Sequence, residues 1–164
     1  MIHSLDYLVG FIEGKITEFN KTEKIQFSEI FKVHERENHN KKIILSSLLP
    51  EKRGVYILFK ENSPVYVGST GKNKRTIQKR IADFLYYNPE PMSEKFSDRT
   101  RHSLTNKLFV ENKKTKKFEL KDFYKSLSKN WQIKVLETED EISAKVLEYA
   151  LIMLLRTKYN SEIN

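Results

Sequence analysis

The chain contains no cysteine, which excludes disulfide staples and thiolate zinc sites. It has no basic-then-apolar pattern at its N-terminus and no apolar run approaching the length that spans a membrane. Together these absences lead us to expect a soluble chain in a reducing, cytoplasmic compartment, with no membrane partner. Acids are outnumbered as well: 22 Asp and Glu stand against 30 Lys and Arg, a formal charge of +8. A balance that basic suits a polyanionic partner, nucleic acid before membrane. The 164 residues are enough for one domain with a real core and room for an appendage.

Helical spacing of Ile2, Leu5, Leu8, Val9, Ile12, Ile16 and Phe19 predicts an amphipathic helix over residues 2–19. Phe27, Ile30 and Phe31 predict a shorter helix over 26–34, and the polar run from Glu35 to Lys42 reads as a solvated loop. The first fifty residues carry no chemical motif, so residues 1–50 are expected to form a helical extension to a domain over 51–164. That extension could serve core cover, dimerisation or substrate grip.

The chain's centre of gravity is the stretch from Gly54 to Gly68. Two strands, 54–60 and 65–68, are predicted around a turn at Glu61–Pro64. Alternation places Val55, Ile57 and Phe59 on one side, with Val65 and Val67 expected on that side too. Tyr56 and Tyr66 then share the opposite face. On composition alone such tyrosines are ordinary strand residues. Between Ser69 and Arg80 come five basic residues and no acidic one. Such a run is a solvated face or, beside a Tyr-bearing hairpin, a phosphate cradle. Gly71-Lys72 is not a nucleotide loop. That motif requires glycine where Tyr66 stands and a hydroxyl residue where Asn73 stands, so no nucleotide cofactor is expected.

Further on, a helix is predicted over about 74–87, a loop over 90–101, a short helix from His102 to Phe109, and one turn at 122–127. A strand is predicted over Trp131–Glu137. Thr138 and Glu141 read as a capping box opening a long apolar helix to about Thr157. Within it Glu148 has Ala144, Leu151, Ile152 and Leu155 as helical neighbours. A carboxylate so surrounded is costly to desolvate unless paired. The alternative is a solvated stripe in which Lys145 pairs with Glu148 and Arg156 continues the polar edge. Glu119 and Lys121 match a Glu-x-Lys fragment of another nuclease fold, but no aspartate precedes them on a convincing strand.

Gly54-Val-Tyr56 followed by Tyr66-Val-Gly68 resembles the paired half-motifs of the GIY-YIG nuclease superfamily. Arg80-Ile81 resembles the family's Arg-aliphatic pair, with Arg75 as a second candidate. Glu148-Tyr-Ala-Leu-Ile152 is similar to its metal-binding helix, and Tyr159-Asn160 to its closing asparagine. The chain departs from the family at Phe84, which stands where a histidine is usual.

The resemblance implies an α+β fold, a three-stranded antiparallel sheet flanked by helices. It also implies a divalent-metal-dependent endodeoxyribonuclease. One Mg²⁺ or Mn²⁺ ion would bind Glu148, polarise the phosphate and stabilise the leaving group. Arg80 would grip the phosphate. Tyr56 or Tyr66 would position or deprotonate water, with His102 as a further candidate base, and Asn160 would orient substrate or brace the site. Lys72, Lys74, Arg75 and Lys79 would contact nucleic acid. DNA is the expected partner, of either a restriction-type enzyme that dimerises to cut both strands or a repair-type enzyme that reads DNA structure. A basic DNA- or RNA-binding protein that keeps the fold without turnover is the alternative.

Overall fold

A computed structural model of the chain describes residues 4–35, 41–71, 75–85, 104, 107, 108 and 120–163. Helix α1 spans Leu5–Lys21, with Ser4 as its cap accepting a hydrogen bond from the Tyr7 amide. Next come a two-residue strand β1, Ile25–Gln26, and a single helical turn α2, Phe27–Ile30. Strands β2, Phe31–Glu35, and β3, Lys41–Leu45, pair antiparallel as a ribbon of their own. The hairpin follows as β4, Gly54–Lys60, and β5, Ser63–Ser69, and then α3, Ile77–Leu85. After α4, Leu120–Asn130, come β6, Trp131–Glu137, and α5, Glu141–Leu155. A 3-10 helix over Lys158–Ile163 closes the described chain.

The main sheet is antiparallel in the order β1-β6-β4-β5 and so has four strands, where three were expected. The additional strand is β1, whose Ile25 and Gln26 pair with Ile133 and Gln132. Two residues are too few for a period-two pattern to register in sequence. The helix expected over 26–34 stops at Ile30. Phe27, Ile30 and Phe31 are all buried, but Phe31 enters the ribbon opposite Leu45, and Val33 opposes Ile43. Apolar spacing over so short a run fits a turn followed by a strand as well as it fits a helix. Of the expected loop at 35–42, the ends Glu35, Lys41 and Lys42 lie in strands and the middle is outside the described residues.

Both faces of the sheet are covered. Val55, Ile57, Phe59, Val67 and Leu136 pack on one side with Phe19 of α1 and Ala144, Leu147 and Leu151 of α5. Tyr56, Leu58, Val65, Tyr66 and Ile133 pack on the other with residues of α2, α3 and α4. Val65 and Val67 thus fall on opposite faces, contrary to simple alternation, because a bulge between Leu58 and Phe59 shifts the register. The hairpin loop is only Glu61–Asn62, both at positive φ (51° and 68°), a turn that matches strand twist. Pro64 therefore lies inside β5, tolerated because β5 is an edge strand.

Helix α4 runs for eleven residues rather than one turn, because Phe123, Tyr124 and Leu127 form a buried stripe. Asp140, not Thr138, caps α5, its carboxylate accepting from the Ser143 amide at 2.8 Å.

Candidate active site

Tyr56 lies in the middle of β4, directly across from Gly68 of β5. A Cβ at Gly68 would come within 2.4 Å of the Tyr56 hydroxyl oxygen and 2.8 Å of the Tyr66 ring. Glycine is needed here so that two rings can lie over one strand. Those rings have centroids 6.2 Å apart and planes tilted by 38°. Gly54 is required for a different reason: a Cβ there would strike the Leu136 carbonyl oxygen at 2.1 Å, where β4 and β6 meet.

Arg80 reaches Tyr56 from α3, a guanidinium N–H donating to the phenolic oxygen. The apolar side of the same helix (Ile77, Ile81, Phe84 and Leu85) is buried in the core and sets the rotation that aims Arg80 at the sheet. Asp83 steadies it from 3.7 Å and also pairs with Arg75. The buried Nε of Arg80 has no hydrogen-bond partner among the described residues. Phe84 is enclosed by Phe27, Phe123 and Trp131, with centroids 6.0–6.2 Å away. A histidine at that position would be buried in an aromatic core rather than face the tyrosines.

Glu148 arrives from α5. Its side chain is 12% exposed and receives the Ser69 hydroxyl at 2.8 Å and the Lys145 ammonium at 2.5 Å, both on Oε2. Pairing with Lys145 is the contact that the solvated-stripe alternative required, yet the side chain is largely buried and its charge bears on Tyr56. Asn160 is a brace. Its side chain accepts from the Val67 amide at 2.7 Å and donates to the Val67 carbonyl at 2.8 Å, while Thr157 donates to its Oδ1 at 2.6 Å.

These groups converge electrostatically on Tyr56. Burial pushes its pKa well above the ordinary value near 10, and the neighbouring Tyr66 and Glu148 push the same way. Arg80 opposes them by charge and by its hydrogen bond, without reversing the balance. Two tyrosines on one hairpin, an arginine from the next helix and a glutamate from the helix after β6 thus bear on one another. The chain resembles the GIY-YIG nucleases.

No family model and no curated protein matches the chain. Among solved structures it is similar to the GIY-YIG N-terminal endonuclease domain of UvrC from Thermotoga maritima bound to its catalytic divalent cation, magnesium. The identity is 24%, over 69% of this chain and 88% of that one, with a TM-score of 0.40. A tyrosine-to-phenylalanine point mutant of the same domain is similar at 26% identity, covering 69% and 87%, with a TM-score of 0.39. An asparagine-to-alanine point mutant gives 24%, 68%, 86% and 0.39.

The other expected residues divide into two groups. Arg75 pairs with Asp83, which also holds Arg80, and Lys79 is an exposed residue whose amide donates to the Thr76 hydroxyl. Lys72, Lys74 and His102 lie outside the described residues. Ser69 and Asp83 hold Glu148 and Arg80, and neither was anticipated: Ser69 lies 79 positions from Glu148, beyond any local rule, whereas Asp83 stands at helical ion-pair spacing from Arg80 and could have been read. Among the described residues no three acidic or histidine side chains cluster as for a protein-caged metal. A single hard carboxylate, Glu148, is what Mg²⁺ or Mn²⁺ can use instead, ions that keep several waters and bind through one or two carboxylates plus phosphate oxygens.

Proposed function

We propose that the chain is a divalent-metal-dependent DNA endonuclease that hydrolyses phosphodiester bonds. What supports this is the meeting of Tyr56, Tyr66, Arg80 and Glu148, carried by two strands and two helices, at one place. Each side chain meets one demand of phosphodiester hydrolysis. Arg80 offers a charged fork to a non-bridging oxygen, its Nε already desolvated and without a partner among the described residues. Tyr66 lies over the hairpin next to Tyr56, and the pair orients the attacking water. In the chain itself Tyr56 is held as the neutral phenol, so it positions water by hydrogen bonding rather than by standing as phenolate. Glu148 would hold the ion, Mg²⁺ or Mn²⁺, which would supply charge to polarise the phosphate and stabilise the leaving oxygen. Asn160 keeps β5 in place by its two bonds to Val67. Lys72, Lys74, Arg75 and Lys79, with the chain's +8 charge, attract the DNA backbone. We place the enzyme in the cytoplasm, either as a restriction-type homodimer or as a repair-type enzyme, with residues 51–164 as the nuclease domain and residues 1–50 as an extension that joins its sheet and core.

The deciding experiment incubates plasmid and branched DNA with the protein in Mg²⁺ or in chelator, beside Glu148→Ala. Cleavage should need metal and fall about a thousandfold or more in the variant, with DNA binding retained. Arg80→Ala should cost roughly a hundredfold, and Arg75→Ala much less. Tight binding of every substrate without any cutting would make the chain a basic nucleic-acid-binding protein instead.

A further inference from the structure

Glu148 is held in an uneven way. Ser69 and Lys145 both act on Oε2, and no other bond to this carboxylate is formed among the described residues. The two partners differ in kind. Ser69 is 3% exposed at the end of β5, directly after Gly68, so its hydroxyl is fixed by the sheet. Its bond ties the strand that carries Tyr66 to the helix that carries Glu148. Lys145 lies one turn earlier on the same helix, its side chain is 44% exposed, and its ammonium is a hydrated point charge on a flexible stem. A carboxylate oxygen that already accepts two donors leaves the other oxygen as the better-placed ligand.

Resting on the function proposed above, we infer that Ser69 and Lys145 tune Glu148 in opposite directions. Ser69 is a positioning residue: as a neutral donor it fixes the carboxylate rotamer and presents Oε1 without competing for its charge. Lys145 is a resident counter-cation that occupies Glu148 until a divalent ion weakens or displaces it. Loss of Ser69 therefore weakens divalent binding, and loss of Lys145 strengthens it.

The test is a Mn²⁺ titration of the whole chain followed by electron paramagnetic resonance of the free ion, with no DNA present. Ser69→Ala should bind Mn²⁺ about tenfold more weakly than wild type, the scale on which outer partners of metal ligands act. Lys145→Met should bind it about threefold more tightly, the scale of a partly exposed ion pair. In cleavage assays Ser69→Ala should lower kcat and leave KM for DNA unchanged. General damage to the fold would move both variants the same way, and thermal melts of each would report it. Two unchanged affinities, or two weakened ones, would overturn the inference while leaving Glu148 as the ligand. If Glu148→Ala binds Mn²⁺ as wild type does, both this inference and the metal role of Glu148 fall.

Discussion

Tyr56 carries a concentrated electrostatic burden. It is fully buried, beside another phenol and a carboxylate, with one guanidinium in opposition. A phenol whose folded pKa lies above its unfolded value near 10 retains its proton in the folded chain after the unfolded chain has lost it. Its contribution to stability is whole below about pH 10 and is lost as pH rises through the folded pKa. Urea unfolding at pH 8 and pH 11 should therefore show wild type losing more stability over that interval than Tyr56→Phe, which has no proton to lose. Equal losses would mean that Tyr56 does not resist ionisation. At the same scale, Glu148 shows how two readings of one residue can both hold. It pairs with Lys145 as a surface helix residue would, and it is also desolvated against a strand that only tertiary folding brings there.

Among elements, the edge strand β5 depends most on a partner outside the sheet. β4 satisfies one of its sides, and on the other Asn160 takes both the N–H and the C=O of Val67 as a further strand would. The 3-10 helix thereby closes an edge that would otherwise lie open for pairing with another chain. Because Val67 neighbours Tyr66 and Gly68, the amide of Asn160 also sets the height of the tyrosine pair. Asn160→Ala removes these bonds and should cost about 1–3 kcal/mol. Hydrogen exchange should localise the loss, with the Val67 amide accelerating more than amides of β6. Uniform acceleration across the sheet would argue against a local brace.

Over the whole molecule, α1 and α5 cover one sheet face together and leave apolar side chains on their outer surface. On α5, Ile142, Tyr149 and Met153 are 73%, 52% and 77% exposed and share one helical face, away from Glu148. On α1, Leu5 and Val9 are exposed as well. A second copy meeting this face would bury it and set two sites apart for two cuts, as the proposed dimer requires. Sedimentation equilibrium at micromolar concentration should give a dimer for wild type and a monomer for Met153→Asp combined with Tyr149→Asp. A wild-type monomer with and without DNA would remove the dimer and leave the site untouched.

Much of this was legible in residue order. The strand Trp131–Glu137, helix α1, helix α5 and the shared face of Tyr56 and Tyr66 all follow from apolar periodicity, because each is long enough for its period to repeat. Short or mixed segments were not legible: β1 has two residues, α2 has one turn, and the bulge that splits Val65 from Val67 leaves no trace in alternation. The sequence by itself determined which residue types the chain could bring to a phosphate. Tertiary structure alone decided that Ser69 meets Glu148 and that Phe84 belongs to the core. The physical reason is distance along the chain: local periodicity orients a side chain on its own element, but only packing across elements selects what it faces.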